Sequence, residues 1–144
     1  MVRLNNDYER NEMKSYENLL NEAKRSSENS YSPYSKFSVG ASVLYESGKV
    51  YTGCNVENAS YGLTVCAERN AIASAINSGE KSKIKAIAIY SPQQKKCVPC
   101  GACRQWLSEF ASDDGIDIII EDENSSPLVL TLNDIFPFGF KLEK

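Results

Sequence analysis

Three cysteines and one glutamate have the residue types and the spacing of a metal site with an acid–base group beside it. Cys66 and Glu68 lie close together, and Cys100 and Cys103 follow later in a Pro-Cys-x-x-Cys segment. Two residues between cysteines is the usual separation of two thiolate ligands of one tetrahedral zinc ion. The spacing therefore predicts a zinc ion held by Cys66, Cys100 and Cys103.

Both cysteine segments are expected to open a helix, over residues 66–77 and 100–110. The N-terminus of a helix presents unpaired N–H groups and partial positive charge, which lower the pKa of a thiol there. Three thiolates on one Zn²⁺ carry an excess negative charge. Arg69 and Arg104, each close in sequence to a ligand, are expected to draw that charge off the sulfurs.

Glu68 shares the predicted core face of its helix with Ile72, Ala75 and Ile76. Burial disfavours the charged form of a carboxyl group and raises its pKa. A raised pKa beside a metal ligand suits a group that transfers protons. The alternative is an ordinary first-turn acid that the helix dipole favours. The same periodicity on the next helix predicts that Trp106 is in the core.

Cysteine spacing alone leaves other sites open. The chain has five cysteines, so a closed structural zinc site could use Cys54 or Cys97 as a fourth ligand. Cys97, Cys100 and Cys103 also have the spacing of iron–sulfur ligands, but that motif usually has a fourth cysteine shortly afterwards, and none follows here.

Composition narrows the function. The 144 residues predict one domain, 1–144, with a polar tail at residues 1–7. The net charge of −3 argues against a nucleic-acid-binding protein. We expect no membrane span and a cytoplasmic location, because the sequence has no long apolar run and no secretory signal. The absence of histidine excludes His ligands and a Ser–His mechanism.

The pattern of apolar residues predicts an α/β fold. A helix and a β-hairpin are followed by alternating helices and strands, which favours three layers with a central mixed sheet of about five strands flanked by helices. The predicted helices are 8–26, 66–77, 100–110 and 131–135, and the predicted strands are 39–45, 50–56, 84–90, 116–120 and 128–130.

At these residues the sequence resembles the small, homotetrameric cytidine deaminases whose zinc ligands are all cysteines, within the cytidine and deoxycytidylate deaminase superfamily. The similar segments are 34–41, 53–61, 66–69 and 99–105. The resemblance implies the deaminase three-layer fold, one Zn²⁺ per chain and a homotetramer. It also implies hydrolytic deamination of cytidine and deoxycytidine to uridine and deoxyuridine, with release of ammonia, in pyrimidine salvage.

The resemblance further implies roles for individual residues. Glu68 would take a proton from water, protonate N3 of the pyrimidine and later protonate the leaving ammonia. Phe37 would line the base pocket, and the backbone of Ala67 would contact the base. Asn55 and Glu57 would bind a ribose hydroxyl, and Phe140 would close the site of a neighbouring subunit.

Some features differ from the usual family pattern or allow another function. Val98 stands where a small hydroxyl residue is common, Cys97 is an additional thiol, and the tail at 136–140 is unusually aromatic. Without the resemblance, Phe37 would be a core residue, and Asn55 and Glu57 would be turn-forming polar residues. The alternative functions are deamination of another aminopyrimidine such as blasticidin S, and a binding module with structural zinc.

Overall fold

A computed structural model describes residues 7–144 of the chain. Residues 1–6 of the predicted polar tail lie outside the described residues, and Asp7 already belongs to the first helix. The helices are α1 (Asp7–Ser27), α2 (Ala67–Asn77), α3 (Gly101–Glu109) and α4 (Leu132–Ile135), with a 3-10 turn at Tyr61–Leu63. The strands are β1 (Gly40–Tyr45), β2 (Val50–Cys54), β3 (Ile84–Tyr90), β4 (Asp117–Glu121) and β5 (Pro127–Thr131).

The five strands form one mixed sheet in the order β2-β1-β3-β4-β5. Strands β3 and β4 are parallel, and every other neighbouring pair is antiparallel. The predicted α/β class, the hairpin and the five-stranded mixed sheet are confirmed. Within the part of the chain that the structure describes, no helix combines the length and the apolar character that crossing a bilayer requires.

The three central strands of the sheet, β1, β3 and β4, are largely buried on both faces, which gives the fold its three layers. On β3, Ala86 and Ala88 face α1, while Ile87 and Ile89 face the opposite side, as the two-residue period of a strand requires. The α1 layer contributes Leu19, Leu20 and Ala23. The other layer contributes buried residues of α2 and α3, among them Ala71, Ile72, Ala75 and Leu107.

Two predicted core residues are at the surface. Trp106 is 39% exposed and Ile76 is 45% exposed, so their assignment to the core is wrong. The buried stripe of each helix is narrower than the one we predicted. On α2 it is centred on Ala71 and Ala75, and on α3 it follows Cys103 and Leu107, which leaves Ile76 and Trp106 at the borders.

Strand β2 and helix α2 approach closely at Gly53. A Cβ atom at this position would lie 2.6 Å from the carbonyl oxygen of Ala67 and would also overlap the backbone nitrogen of Ala71. Because both neighbours are backbone atoms, no side-chain rotation can relieve the overlap. The glycine therefore sets the distance between the sheet and the helix that carries Glu68.

Replacing Gly53 with Ala should force α2 away from the sheet and lower the free energy of unfolding by about 1–3 kcal/mol. Gly62→Ala is the matched control, because a Cβ atom there would meet nothing within 4 Å. Denaturant unfolding of both variants measures the difference. Equal unfolding midpoints for Gly53→Ala and the wild type would contradict this account of the packing.

Candidate active site

Several chain segments meet at one edge of the sheet. Strand β1 runs antiparallel to both of its neighbours, and Gly40 at its start pairs with Cys54 at the end of β2 and with Tyr90 at the end of β3. The residues before β1, after β2 and after β3 therefore converge. Helices α2 and α3 also begin here, since their N-terminal cysteines lie together.

The sulfur atoms of Cys66, Cys100 and Cys103 all lie within 4.8 Å of one another. The Cys66 and Cys100 sulfurs are 4.0 Å apart. Two thiolates on one tetrahedral zinc ion, each with a Zn–S bond of about 2.3 Å, lie about 3.8 Å apart. The three residues thus fit zinc in both donor type and spacing. Among the described residues, neither Cys54 nor Cys97 joins this group.

Two of the three cysteines stand at the N-cap positions of helices. Cys66 precedes α2 and Cys100 precedes α3, both with extended backbone, and neither side chain makes a capping hydrogen bond. Cys103 is fully buried in the first turn of α3. The sulfurs are therefore available to a metal ion while the helix N-termini favour their negative charge.

Arg69 contacts the metal-binding group directly. Its Nη2 donates a hydrogen bond to the sulfur of Cys66 at 3.4 Å. Hydrogen bonding by Cys103 is the main cause that lowers the pKa of Cys66 to about 5, and Arg69 lowers it further against the effect of burial. Both interactions favour the thiolate form of Cys66, the form that binds zinc.

Arg104 has different partners from those we expected. Its Nε donates to the carbonyl oxygen of Pro99 and its Nη1 to that of Ile135, both at 2.8 Å. The guanidinium therefore ties the start of α3 to the end of α4 and makes no recorded contact with a sulfur. The closeness of Arg104 to Cys103 in the sequence did not predict the partners of its side chain, because the direction of the side chain depends on Ile135, which is distant in sequence.

The Glu68 carboxyl group lies next to the sulfurs and is almost completely buried. It is 5% exposed, and its Oε2 lies 3.1 Å from the sulfur of Cys103. Burial raises the pKa of this carboxyl group. The inward direction agrees with the helical stripe in the sequence, and a carboxyl group that holds its proton more strongly can accept and return it near neutral pH.

A cavity of about 370 Å³ opens beside Glu68 and the sulfurs. Four of the five predicted substrate contacts line it: Phe37, Asn55, Glu57 and Ala67. The cavity is large enough for a small ligand. Its lining combines apolar side chains with a few polar groups, and its remaining residues are Ser35, Val39, Thr64, Cys66, Glu68, Cys97, Val98 and Cys100.

Asn55 and Glu57 hold the segment that carries Phe37. Asn55 is 8% exposed; its Nδ2 donates to the carbonyl oxygen of Phe37 at 2.8 Å, and its Oδ1 accepts from the Val39 amide at 2.9 Å. Glu57 accepts two hydrogen bonds through Oε1, from the amides of Tyr34 and Ser35. Among the contacts described, the second amide hydrogen of Asn55 remains for a ligand, while the Ser35 side chain also hydrogen-bonds to the Glu57 carboxylate.

Phe140 does not line this cavity. Its residue is 67% exposed, and its backbone amide and carbonyl both bond to the side chain of Gln105. The tail is thus fixed on α3, with an apolar ring directed to the surface. Completion of a neighbouring subunit's site by Phe140 stays a prediction.

The sequence did not single out Val39 and Thr64 as pocket residues. Thr64 reaches the cavity because the 3-10 turn precedes it and Val65 bridges back to Val56. This short turn has no periodic signal that could have predicted it. Cys97 and Val98 directly precede the Pro-Cys segment in the sequence. This closeness to a predicted metal ligand is the signal that could have predicted their position in the cavity lining.

Comparison with known proteins gives consistent matches. Residues 13–116 match the family profile described as the cytidine and deoxycytidylate deaminase zinc-binding region. The cytidine deaminase of Halalkalibacterium halodurans is 38% identical over 125 residues, which cover 87% of this chain and 93% of that protein. The cytidine deaminase of Sporosarcina psychrophila is 47% identical over 96 residues, covering 67% and 70% of the two chains.

Solved structures agree with the sequence matches. The cytidine deaminase of Burkholderia pseudomallei superposes with a TM-score of 0.78 at 39% identity, covering 86% of this chain and 98% of the other. The cytidine deaminase of Mycobacterium tuberculosis superposes with a TM-score of 0.74 at 38% identity, covering 88% and 98%.

Changing Cys66, Cys100 or Cys103 to Ser, one at a time, should remove most of the bound zinc, because each change takes one of three thiolates from the ion. Cys54→Ser and Cys97→Ser are the controls and should keep one zinc per chain. Atomic absorption on desalted protein measures this. Loss of zinc from either control would instead indicate a closed site with four protein ligands.

Proposed function

Because this chain belongs to the cytidine and deoxycytidylate deaminase family, we propose that it catalyses the zinc-dependent hydrolytic deamination of cytidine and deoxycytidine to uridine and deoxyuridine. The observation that carries the proposal is the buried carboxyl group of Glu68, 3.1 Å from the sulfur of Cys103 and lining a cavity of about 370 Å³. This arrangement supports the proposal, because Glu68, as the proton carrier, would lie beside the metal-binding cysteines and a cavity of substrate size.

Cys66, Cys100 and Cys103 would hold one zinc ion per chain. When bound there, the ion would act as a Lewis acid that lowers the pKa of a water molecule. Glu68 takes a proton from the water that attacks C4 of the pyrimidine and delivers it to N3. Glu68 then takes the second proton from the hydroxyl group now bound to C4 and passes it to the amino group, which leaves as ammonia while the C4 carbonyl forms. Because burial raises the pKa of Glu68, its carboxyl group can both accept and donate a proton near neutral pH.

The cavity lining supports a free nucleoside as the substrate. Phe37 packs against the pyrimidine, and the backbone of Ala67 contacts the base. Asn55 and Glu57 bind a ribose hydroxyl, and Asn55 does so through the amide hydrogen that the Phe37 carbonyl oxygen leaves. The free base lacks a ribose, so these two residues favour the nucleoside over the base.

We also propose that the enzyme is a homotetramer in the cytoplasm, active in pyrimidine salvage. Phe138 is 96% exposed, Phe140 is 67% exposed and Leu142 is 74% exposed, and an apolar patch of this kind is usually covered by a partner. In the tetramer, Phe140 would close the pocket of a neighbouring subunit. Five free cysteines suit a reducing compartment.

Glu68→Gln should lower kcat by about 10²–10⁴-fold, because the amide has the size of the carboxyl group but cannot carry the proton. Zinc content should stay at one per chain. The decrease in cytidine absorbance measures turnover. In the control Glu57→Gln, which also changes a carboxyl group of the pocket, KM should rise while kcat is largely kept. A Glu68→Gln variant with wild-type kcat would refute the assigned role.

Arg69→Ala should weaken zinc binding and slow the reaction, because the sulfur of Cys66 loses the cation that offsets its charge. Competition with a chromogenic chelator measures the zinc affinity, and cytidine turnover is followed in parallel. Arg25→Ala, a cation on the exposed face of α1, is the control. Unchanged zinc affinity and rate in Arg69→Ala would show that Arg69 is not needed for charge balance.

A further inference from the structure

The segment between β3 and α3, residues 91–99, forms one wall of the cavity and is called the wall segment below. Its residues Cys97 and Val98 line the cavity, and the metal-binding Cys100 follows directly. The segment has no regular secondary structure, so hydrogen bonds from outside it must fix its path. These bonds decide where the wall stands relative to the substrate.

Glu121, at the end of β4, is a buried carboxylate outside the cavity. It is 5% exposed and is paired with two lysines from different parts of the fold. Lys24 of α1 lies 2.8 Å from Oε2, and Lys95 of the wall segment contacts Oε1. Burial raises the pKa of Glu121, but the two lysines lower it by more, so the carboxylate stays ionised.

The wall segment is held by Glu121 at two consecutive residues. Besides the Lys95 side chain, the amide of Lys96 donates to the carbonyl oxygen of Glu121 at 2.8 Å. Lys96 has a φ of 50°, a left-handed conformation that costs a non-glycine residue about 1–3 kcal/mol. Such a backbone conformation persists only where surrounding contacts enforce it. Glu121 supplies these contacts directly before Cys97.

Other anchors hold the two ends of the wall segment. Near its start, Gln93 accepts a hydrogen bond from the Ser38 amide at 2.9 Å. At its end, Arg104 donates to the carbonyl oxygen of Pro99 at 2.8 Å, next to the metal-binding cysteine. The contacts with Glu121 lie between them, at the two residues directly before Cys97. In the same stretch, Lys95 also donates to Ser125 and Lys96 pairs with Glu123.

We propose that Glu121 and Lys95 are positioning residues that fix the pocket wall at Cys97 and Val98 and so determine the affinity for the nucleoside. Neither of them lines the cavity. They act on substrate binding rather than on the metal, because Arg104 holds the metal-binding end of the segment separately. The inference rests on the proposed deaminase function.

The fold supplies a matched control. Lys24 and Lys95 neutralise the same carboxylate, but Lys24 belongs to α1 and does not touch the wall segment among the recorded contacts. Changing either lysine to Met removes one cation from Glu121; Lys95 also loses a hydrogen bond to Ser125, and Lys24 loses its contact with the Tyr90 ring. Only the Lys95 change removes a side-chain contact of the wall segment, while the Lys96 amide keeps its bond to the Glu121 carbonyl oxygen in both variants. A difference between the two variants therefore separates positioning from general stabilisation.

Lys95→Met should raise KM for cytidine by about tenfold and keep kcat within about twofold, the signature of lost binding in both ground and transition states. Zinc should remain at one per chain. Lys24→Met should leave KM within about twofold of the wild type. Lys95→Arg should restore a low KM, since Arg can also pair with a carboxylate. Amide hydrogen exchange in residues 92–98 should accelerate in Lys95→Met and not in Lys24→Met.

Equal KM values and equal exchange rates in Lys95→Met and Lys24→Met would overturn the inference, as would loss of zinc from Lys95→Met. If Lys95→Met does not fold, Lys95→Gln provides the same comparison with a polar side chain. A wild-type protein that does not turn over cytidine would refute the proposed function instead. The hydrogen-exchange comparison would then still decide whether Glu121 fixes the wall segment.

Discussion

The site depends on the meeting of two helix N-termini at one edge of the sheet. Helices α2 and α3 both start with a cysteine in the N-cap position, and neither cysteine uses its side chain as a cap. The unpaired N–H groups and the positive end of each helix dipole therefore act on the sulfurs, which lie 4.0 Å apart. A metal ion bound by these sulfurs would therefore connect the starts of the two helices.

Sheet topology brings the remaining residues to that meeting point. Because β1 is antiparallel to both neighbours, the segment before it and the segments after β2 and β3 share one edge. Asn55 and Glu57 follow β2 and hold the Phe37 segment by hydrogen bonds to its backbone. The residues proposed to bind ribose therefore also shape the part of the cavity proposed to receive the base, which would couple the recognition of sugar and base.

Local patterns in the sequence predicted the helices and strands and the grouping of Glu68 with Cys66, Cys100 and Cys103. Strand β3 has the predicted bounds, and the stripe on α2 predicted that Glu68 points inward. Features that depend on distant contacts were not predictable. The partners of Arg104 involve Ile135, and the exposure of Trp106 depends on how much of the sheet the short α3 covers. Periodicity identifies the side of a helix that is buried, but not the width of the buried stripe.

The wall segment between β3 and α3 has two functions, and a different set of contacts serves each of them. Its end must place a sulfur ligand within a fraction of an ångström, and Arg104 and the start of α3 fix that end. Its middle must fit a substrate, and this part is fixed by Glu121, whose carboxylate is buried between two layers of the fold. Because the two anchors share no atoms, substitutions in the middle of the wall can change substrate fit without disturbing the metal ligands. Val98 and Cys97, the residues that depart from the usual family pattern, lie in that separable part.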